Sequence, residues 1–236
     1  KANLDAVYVA TPVHLHAPQT LAAIQRGLHV LVEKPMALNA REAEAMVFAA
    51  GHAGLTLGVA FYHRFYPINL RVAQMVRSGE LGQLIALHGN ASAPPRLSPV
   101  DPKGWRLRAA EGGGGPLMDA ASHRIDLFHA LAGPAEAVAA FTDRRVFGDA
   151  DVEDTASLII RYRSGTHATL SSCWSIDPAR GDYEIWGTQG HVNVPYVRGS
   201  SFTVQWGGAS ETVTMPPGEL HDLPLIDAFV AAVEDG

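Results

Sequence analysis

The stretch His29–Arg64, HVLVEKPMALNAREAEAMVFAAGHAGLTLGVAFYHR, decides the fold. Its first four residues, His29–Val32, form an apolar run of the kind found in strands buried on both faces. The run ends in Glu33-Lys34-Pro35. A residue before proline is pushed away from helical geometry, so Lys34 is held at a strand end. Asn39, with Glu42 three residues on, predicts a capping box that opens a helix from Ala40 to about Ala50. Leu55–Phe61 reads as the next strand and closes on Tyr62, His63 and Arg64.

The same alternation extends upstream. Asp5–Ala10 (DAVYVA) reads as a buried strand ending at Thr11-Pro12, and Ala17–Arg26 as a helix stopped by Gly27. Strands alternating with helices imply parallel strands joined by right-handed crossovers. In such sheets ligands lie beyond the carboxyl ends of the strands. All three ends carry chemically capable residues: Thr11, His14 and His16; Glu33 and Lys34; Tyr62, His63 and Arg64. They are expected to converge on one cleft. No cysteine or carboxylate lies at ligand spacing from the His14-x-His16 pair, so no metal site is expected; His16 is expected to line the cleft.

Downstream, a helix from about Pro67 to Ser78 and a strand beginning at Leu84–His88 lead into a long polar loop, Ala93–Glu111, which carries Trp105 and Arg106. Gly112 to Gly115, then Pro116, suggest a close backbone approach at a helix start. The helix from Pro116 to about Leu131 has a core stripe of Leu117, Ala121, Ile125 and Phe128. Asp119, His123 and Asp126 fall at i, i+4 and i+7 on another face. A carboxylate one turn before a histidine can fix its tautomer and raise its basicity, the pairing a general acid/base uses. The plainer alternative is a dipole-favoured Asp beside a satisfied histidine.

The remainder reads as strands at Ala135–Phe141, Thr155–Tyr162, Thr166–Trp174, Tyr183–Trp186, His191–Val197 and Ser201–Trp206, mostly antiparallel. A helical period then begins at Pro224, Leu225 and Phe229. The fold class is therefore α/β plus α+β: a parallel sheet, then a mixed, mainly antiparallel sheet with flanking helices.

The composition sets limits. A chain of 236 residues, 47% hydrophobic and 18% charged, can bury a sizeable core. A net charge of −6 and the lack of a basic, aromatic-rich cluster argue against nucleic acid as a partner. No apolar run approaches the roughly 20 residues needed to span a bilayer, so no membrane partner is expected. Cys173, the only cysteine, excludes an intrachain disulfide and suits a reducing, cytoplasmic compartment. It reads as strand filling rather than a catalytic thiol.

Thr11-Pro12 with His16, the Glu33-Lys34-Pro35 triplet and GGGGPLMDAASHRIDLFHALAG (Gly112–Gly133) together resemble the Gfo/Idh/MocA oxidoreductases. The resemblance implies that residues 1–65 are the C-terminal half of a Rossmann dinucleotide-binding domain. Residues 66–236 would be a substrate-binding and oligomerisation domain, cut at its C-terminus. The family's G-x-G-x-x-G strand would lie upstream of Lys1, and the fragment alone would bind cofactor poorly. The implied cofactor is NAD or NADP, and the implied activity is hydride transfer to or from a sugar, inositol or similar polyol. By the same resemblance the catalytic set is Lys34, Asp119 and His123; Thr11, Pro12, His16, Glu33 and Lys34 contact cofactor; Tyr62, Arg64, Trp105, Arg106 and His123 contact substrate. The C-terminal sheet would support a homo-oligomer. Two alternatives stay open: an NAD-dependent glycoside hydrolase of the same fold, and a non-catalytic dinucleotide-binding regulator. The family's Asn-Arg-Arg at the third strand end reads Tyr62-His63-Arg64 here.

Overall fold

A computed structural model describes residues 4–94, 104–216 and 222–236. Among the described residues the strands form two sheets. The first holds β1 (Ala6–Val9), β2 (His29–Val32) and β3 (Leu57–Val59) in that order, all parallel, with Tyr8 level with Leu31 and Leu31 level with Gly58. The connections are helices α1 (His16–Ile24) and α2 (Ala40–Ala53). As expected, Asn39 caps α2: its side chain accepts the Glu42 N–H at 3.0 Å. The Glu42 carboxylate reaches back one residue beyond the cap, to the Leu38 N–H at 3.1 Å.

Strand β2 is buried on both faces, as its apolar run requires. Val30 and Val32 pack with Ile24, Met46 and Ala50 under α1 and α2. Leu31 points the other way, toward Leu225 and Phe229 of α6 (Leu223–Asp235). β3 is shorter than its apolar run because the backbone turns into a 3-10 segment at Tyr62–Phe65.

The second sheet has eight strands. In chain order they are β4 (Leu84–Asn90), β5 (Ala135–Asp143), β6 (Thr155–Tyr162), β7 (His167–Cys173), β8 (Tyr183–Gly187), β9 (His191–Val194), β10 (Ser201–Trp206) and β11 (Ala209–Thr214). Their spatial order is β11-β10-β9-β8-β4-β7-β6-β5; β4 and β7 are parallel and every other neighbouring pair is antiparallel. Alternation decides which face is covered. Ala156, Leu158, Ile160 and Tyr162 of β6 point inward, onto a core completed by Ile68, Val72 and Met75 of α3 (Pro67–Arg77) and by Leu127 and Phe128 of α5 (Ser122–Ala132). Strand β11 was not expected. Its residues are almost all exposed and polar, so no apolar alternation announces it.

One helix expected to run from Pro116 is two pieces, a π-helical turn at Leu117–Ala121 followed by α5. Glu153 organises this start. Its carboxylate accepts the N–H groups of Gly115 at 2.8 Å and Leu117 at 3.2 Å. The backbone there comes so close that a Cβ on Gly115 would lie 1.7 Å from the Glu153 carbonyl oxygen. The short helix α4 (Ala109–Gly112) enters the run and ends in left-handed Gly113, at φ +81°. Gly115→Ala is expected to cost about 2 kcal/mol or more and to lower the melting temperature by roughly 5 °C. Gly148→Ala, whose Cβ would meet open space, is the control. Equal melting curves for the two variants would contradict this account of the glycine run.

Candidate active site

Lys34, at the carboxyl end of β2, reaches across to the π turn that precedes α5. Its ammonium donates to the Asp119 carbonyl at 2.8 Å and stands 3.3 Å from the Asp119 carboxylate. Its side chain is 14% exposed, so the contact is shielded but reachable. Glu33 braces the same strand end. One carboxylate oxygen accepts the Tyr8 hydroxyl, the other the Lys34 N–H at 3.0 Å. Burial pushes the Tyr8 hydroxyl pKa up, and its bond to Glu33 acts the same way. His16 is buried, with one ring nitrogen 2.9 Å from the Pro35 carbonyl and the other 2.8 Å from the Thr11 carbonyl. It thereby ties the ends of β1 and β2 together. Thr11 donates its hydroxyl to Gln19 at 2.9 Å.

Two cavities meet at Lys34 and Asp119. The first, about 230 Å³, lies over the carboxyl ends of β1 and β2 and is lined by Thr11, Pro12, His16, Glu33, Trp105 and Arg106 among others. The second, about 370 Å³, opens against the large sheet and is lined by Tyr62, His63, His123, Arg124, Tyr196 and Arg198 among others. Both volumes are of small-molecule scale.

His123 is 4% exposed and forms part of the second cavity's wall. The His63 ring stacks on it at 3.9 Å between centroids, and Tyr62 meets it edge-on at 4.6 Å. Burial holds the His123 pKa far below the ordinary value of 6.5; His63, Lys34, Arg198 and Arg124 push it the same way. The imidazole is therefore neutral at physiological pH.

Three expectations are corrected. Asp119 does not accept the His123 ring N–H; neither ring nitrogen of His123 has a hydrogen-bond partner among the described residues. The π turn accounts for this: it widens the helix so that Asp119 and His123 no longer stand one α-turn apart, and Asp119 instead faces Lys34 and, at 3.5 Å, Arg106. Arg64 does not line the second cavity. Its guanidinium forms a two-pronged pair with Asp126, giving that carboxylate a structural bracing role. Trp105 and Arg106, expected at the substrate, line the first cavity, with the Arg106 guanidinium 4.6 Å above the Trp105 ring. His63, expected at the cleft with the other strand-end residues, lines the second cavity. Sequence reasoning missed Arg124 and Arg198 as cavity residues, and nothing in the local sequence marks them.

One cavity at parallel strand ends is thus set against a second cavity beside the larger sheet. Residues 1–61 match the oxidoreductase family with an NAD-binding Rossmann fold, and residues 69–193 match the GFO/IDH/MocA C-terminal domain. The chain belongs to the Gfo/Idh/MocA oxidoreductase family and carries its NAD-binding domain. It is 33% identical to 1,5-anhydro-D-fructose reductase of Ensifer adhaerens, over 98% of this chain and 70% of that protein. It is also 33% identical to D-xylose 1-dehydrogenase (NADP(+)) 2 of Haloferax volcanii, over 99% of this chain and 71% of that protein. The structure is similar to levoglucosan dehydrogenase in complex with NADH, with TM-score 0.89 and 26% identity, over 98% of this chain and 71% of that one. Among the described residues no helix is long and apolar enough to cross a membrane.

The neutral state of His123 has a consequence for stability. Below pH 6.5 the unfolded chain protonates this imidazole and the folded protein does not. The contribution is complete above that pH and is lost as the pH falls. Each pH unit below it costs about 1.4 kcal/mol for one proton. Denaturant unfolding between pH 7 and 5 is expected to show a shallower loss in His123→Gln than in the wild type. Parallel curves would mean that His123 takes its proton in the folded state.

Proposed function

We propose that this protein is an NAD- or NADP-dependent dehydrogenase acting on a sugar or polyol hydroxyl or the matching ketone. One observation carries the reading: the nucleotide cleft and the second cavity share the Lys34–Asp119 wall, and His123 stands on the far side of it. The names of the similar proteins, reductases and dehydrogenases of sugars, support the substrate class.

The residues of the first cavity fit a nicotinamide. Apolar Pro12, Val13 and Met118 flank it, Gly112 and Gly114 add no side chain to its wall, and Lys34 and Asp119 stand at the shared edge. When bound, the nicotinamide ring accepts or returns the hydride. Lys34 has three donors, two of them directed at Asp119, which leaves one for the reacting oxygen. Asp119, clasped between Lys34 and Arg106, fixes where that ammonium points. His123 lines the same cavity and is neutral at rest, so it is the group to accept the hydroxyl proton during oxidation and return it during reduction; burial and the neighbouring cations weaken it as a base, and bound substrate has to offset that. The His63 stack and the Tyr62 edge hold its ring in place and keep water away. In this reading Thr11, Pro12, His16 and Glu33 shape the cofactor cleft, and Tyr62 borders the substrate. The domain division stays at residues 1–65 and 66–236.

A cytoplasmic homo-oligomer completes the proposal. The uncovered face of the large sheet presents Phe141 at 83%, Ile159 at 55% and Trp186 at 43% exposure, apolar surface suited to a second copy.

Lys34→Ala and His123→Ala are each expected to lower turnover by about two orders of magnitude or more while changing NADH affinity only a few-fold. Absorbance at the nicotinamide band and fluorescence titration measure the two effects. Unchanged turnover in Lys34→Ala would refute its role at the reacting oxygen.

A further inference from the structure

The second cavity has an uneven charge. Its only carboxylate among the described residues, Asp119, is already matched by Lys34 and Arg106. Three arginines remain. Arg180 at the rim is answered by Asp182 at 2.9 Å. Arg124 and Arg198 have no carboxylate partner among the described residues.

Arg124 is the more unusual. It is 3% exposed, yet among the described residues its guanidinium makes a single hydrogen bond, from Nη2 to the Gly181 carbonyl at 3.0 Å, and Nε and Nη1 have no partner. Its guanidinium lies 4.5 Å from the Tyr183 ring centroid, which supports the charge but cannot use those donors. A buried charge left this way is costly unless something answers it. Arg198 stands nearby, because the same Gly181 carbonyl also accepts the Val197 N–H at 3.0 Å. Its guanidinium acts electrostatically on the Tyr62 and Tyr66 hydroxyls, both neutral groups, at the cavity mouth. Asp222 acts on the Tyr62 and Tyr66 hydroxyls, and among the described residues no ion pair joins it to Arg198.

We infer that the substrate carries an anionic group, a carboxylate or a phosphate ester, which this arginine pair receives within the cavity that Lys34 also lines. The inference rests on the dehydrogenase reading and narrows it to sugar acids or sugar phosphates. Planar guanidinium groups recognise either anion through paired hydrogen bonds. Burial is the main reason His123 stays unprotonated; an anion there would offset the smaller contribution of Arg198 and Arg124 and so make it a somewhat better base during oxidation.

The test uses the intact gene product with NAD and with NADP. Several hexoses are each offered as the neutral sugar, the uronic acid and the 6-phosphate. The expected result is a kcat/KM at least about tenfold higher for one anionic form than for its neutral parent. Which form wins distinguishes carboxylate from phosphate. In Arg198→Gln that preference is expected to shrink roughly tenfold to hundredfold, and Arg198→Lys to restore part of it. Arg198 is chosen because it stands at the surface, whereas substituting buried Arg124 endangers folding. Tryptophan fluorescence titration of the preferred form in the presence of cofactor gives a reading independent of turnover. Neutral sugars turned over as well as both anionic forms, with the same ratio in Arg198→Gln, would overturn this inference and leave the dehydrogenase reading intact. Turnover and binding of no form with either cofactor would overturn both.

Discussion

Lys34 and Asp119 are 85 residues apart in sequence, and their contact holds the two halves of the site in register. The ammonium belongs to a strand end of the small parallel sheet, the carboxylate and carbonyl to the helix start beneath the large one. Two bonds to the same residue, one to its backbone, give the lysine a defined direction as well as a charge partner. The first and second cavities are neighbours because this pair lines both. Arg106 adds a third charge to the cluster, so that the carboxylate is shared between a group on each side.

The geometry of that helix start follows from backbone rather than side-chain chemistry. Gly115 lies against the Glu153 carbonyl, and the Glu153 carboxylate takes up the N–H groups at the start of the π turn. The wider turn moves Asp119 away from His123 and toward Lys34. π turns of this kind are often found at functional sites. Here the insertion converts a residue pair that an α-helix would have joined into two separate groups with different partners.

Electrostatics then divides the work. His123 is buried among cations with no acidic partner, and burial and repulsion both favour the neutral imidazole. Lys34 stands against the Asp119 carboxylate. A neutral base and a charged donor facing one cavity suit the transfer of a proton beside a developing negative oxygen. The unanswered arginines in the same wall extend that logic from the reacting atoms to the remainder of the ligand.

Local sequence was enough for the alternation of strands and helices, the double-sided burial of β2, the Asn39 cap and the separation of the chain into a parallel and a mainly antiparallel part. Each depends on periodicity or on contacts a few residues apart, which a linear pattern records. The Glu33-Lys34-Pro35 end and the glycine-led helix were legible for the same reason, and so were the residue types they bring to the site. The partner of Asp119, the stacking of His63 on His123, the diversion of Arg64 to Asp126 and the placing of Trp105 and Arg106 beside the first cavity were decided only in three dimensions. So was the meeting of Arg124 with the chain near Arg198 at one carbonyl. Each of these joins residues far apart in the chain, or turns on a single extra residue in a helical turn. Side-chain direction there is set by packing and by backbone registry, and neither is written in the spacing of residue types.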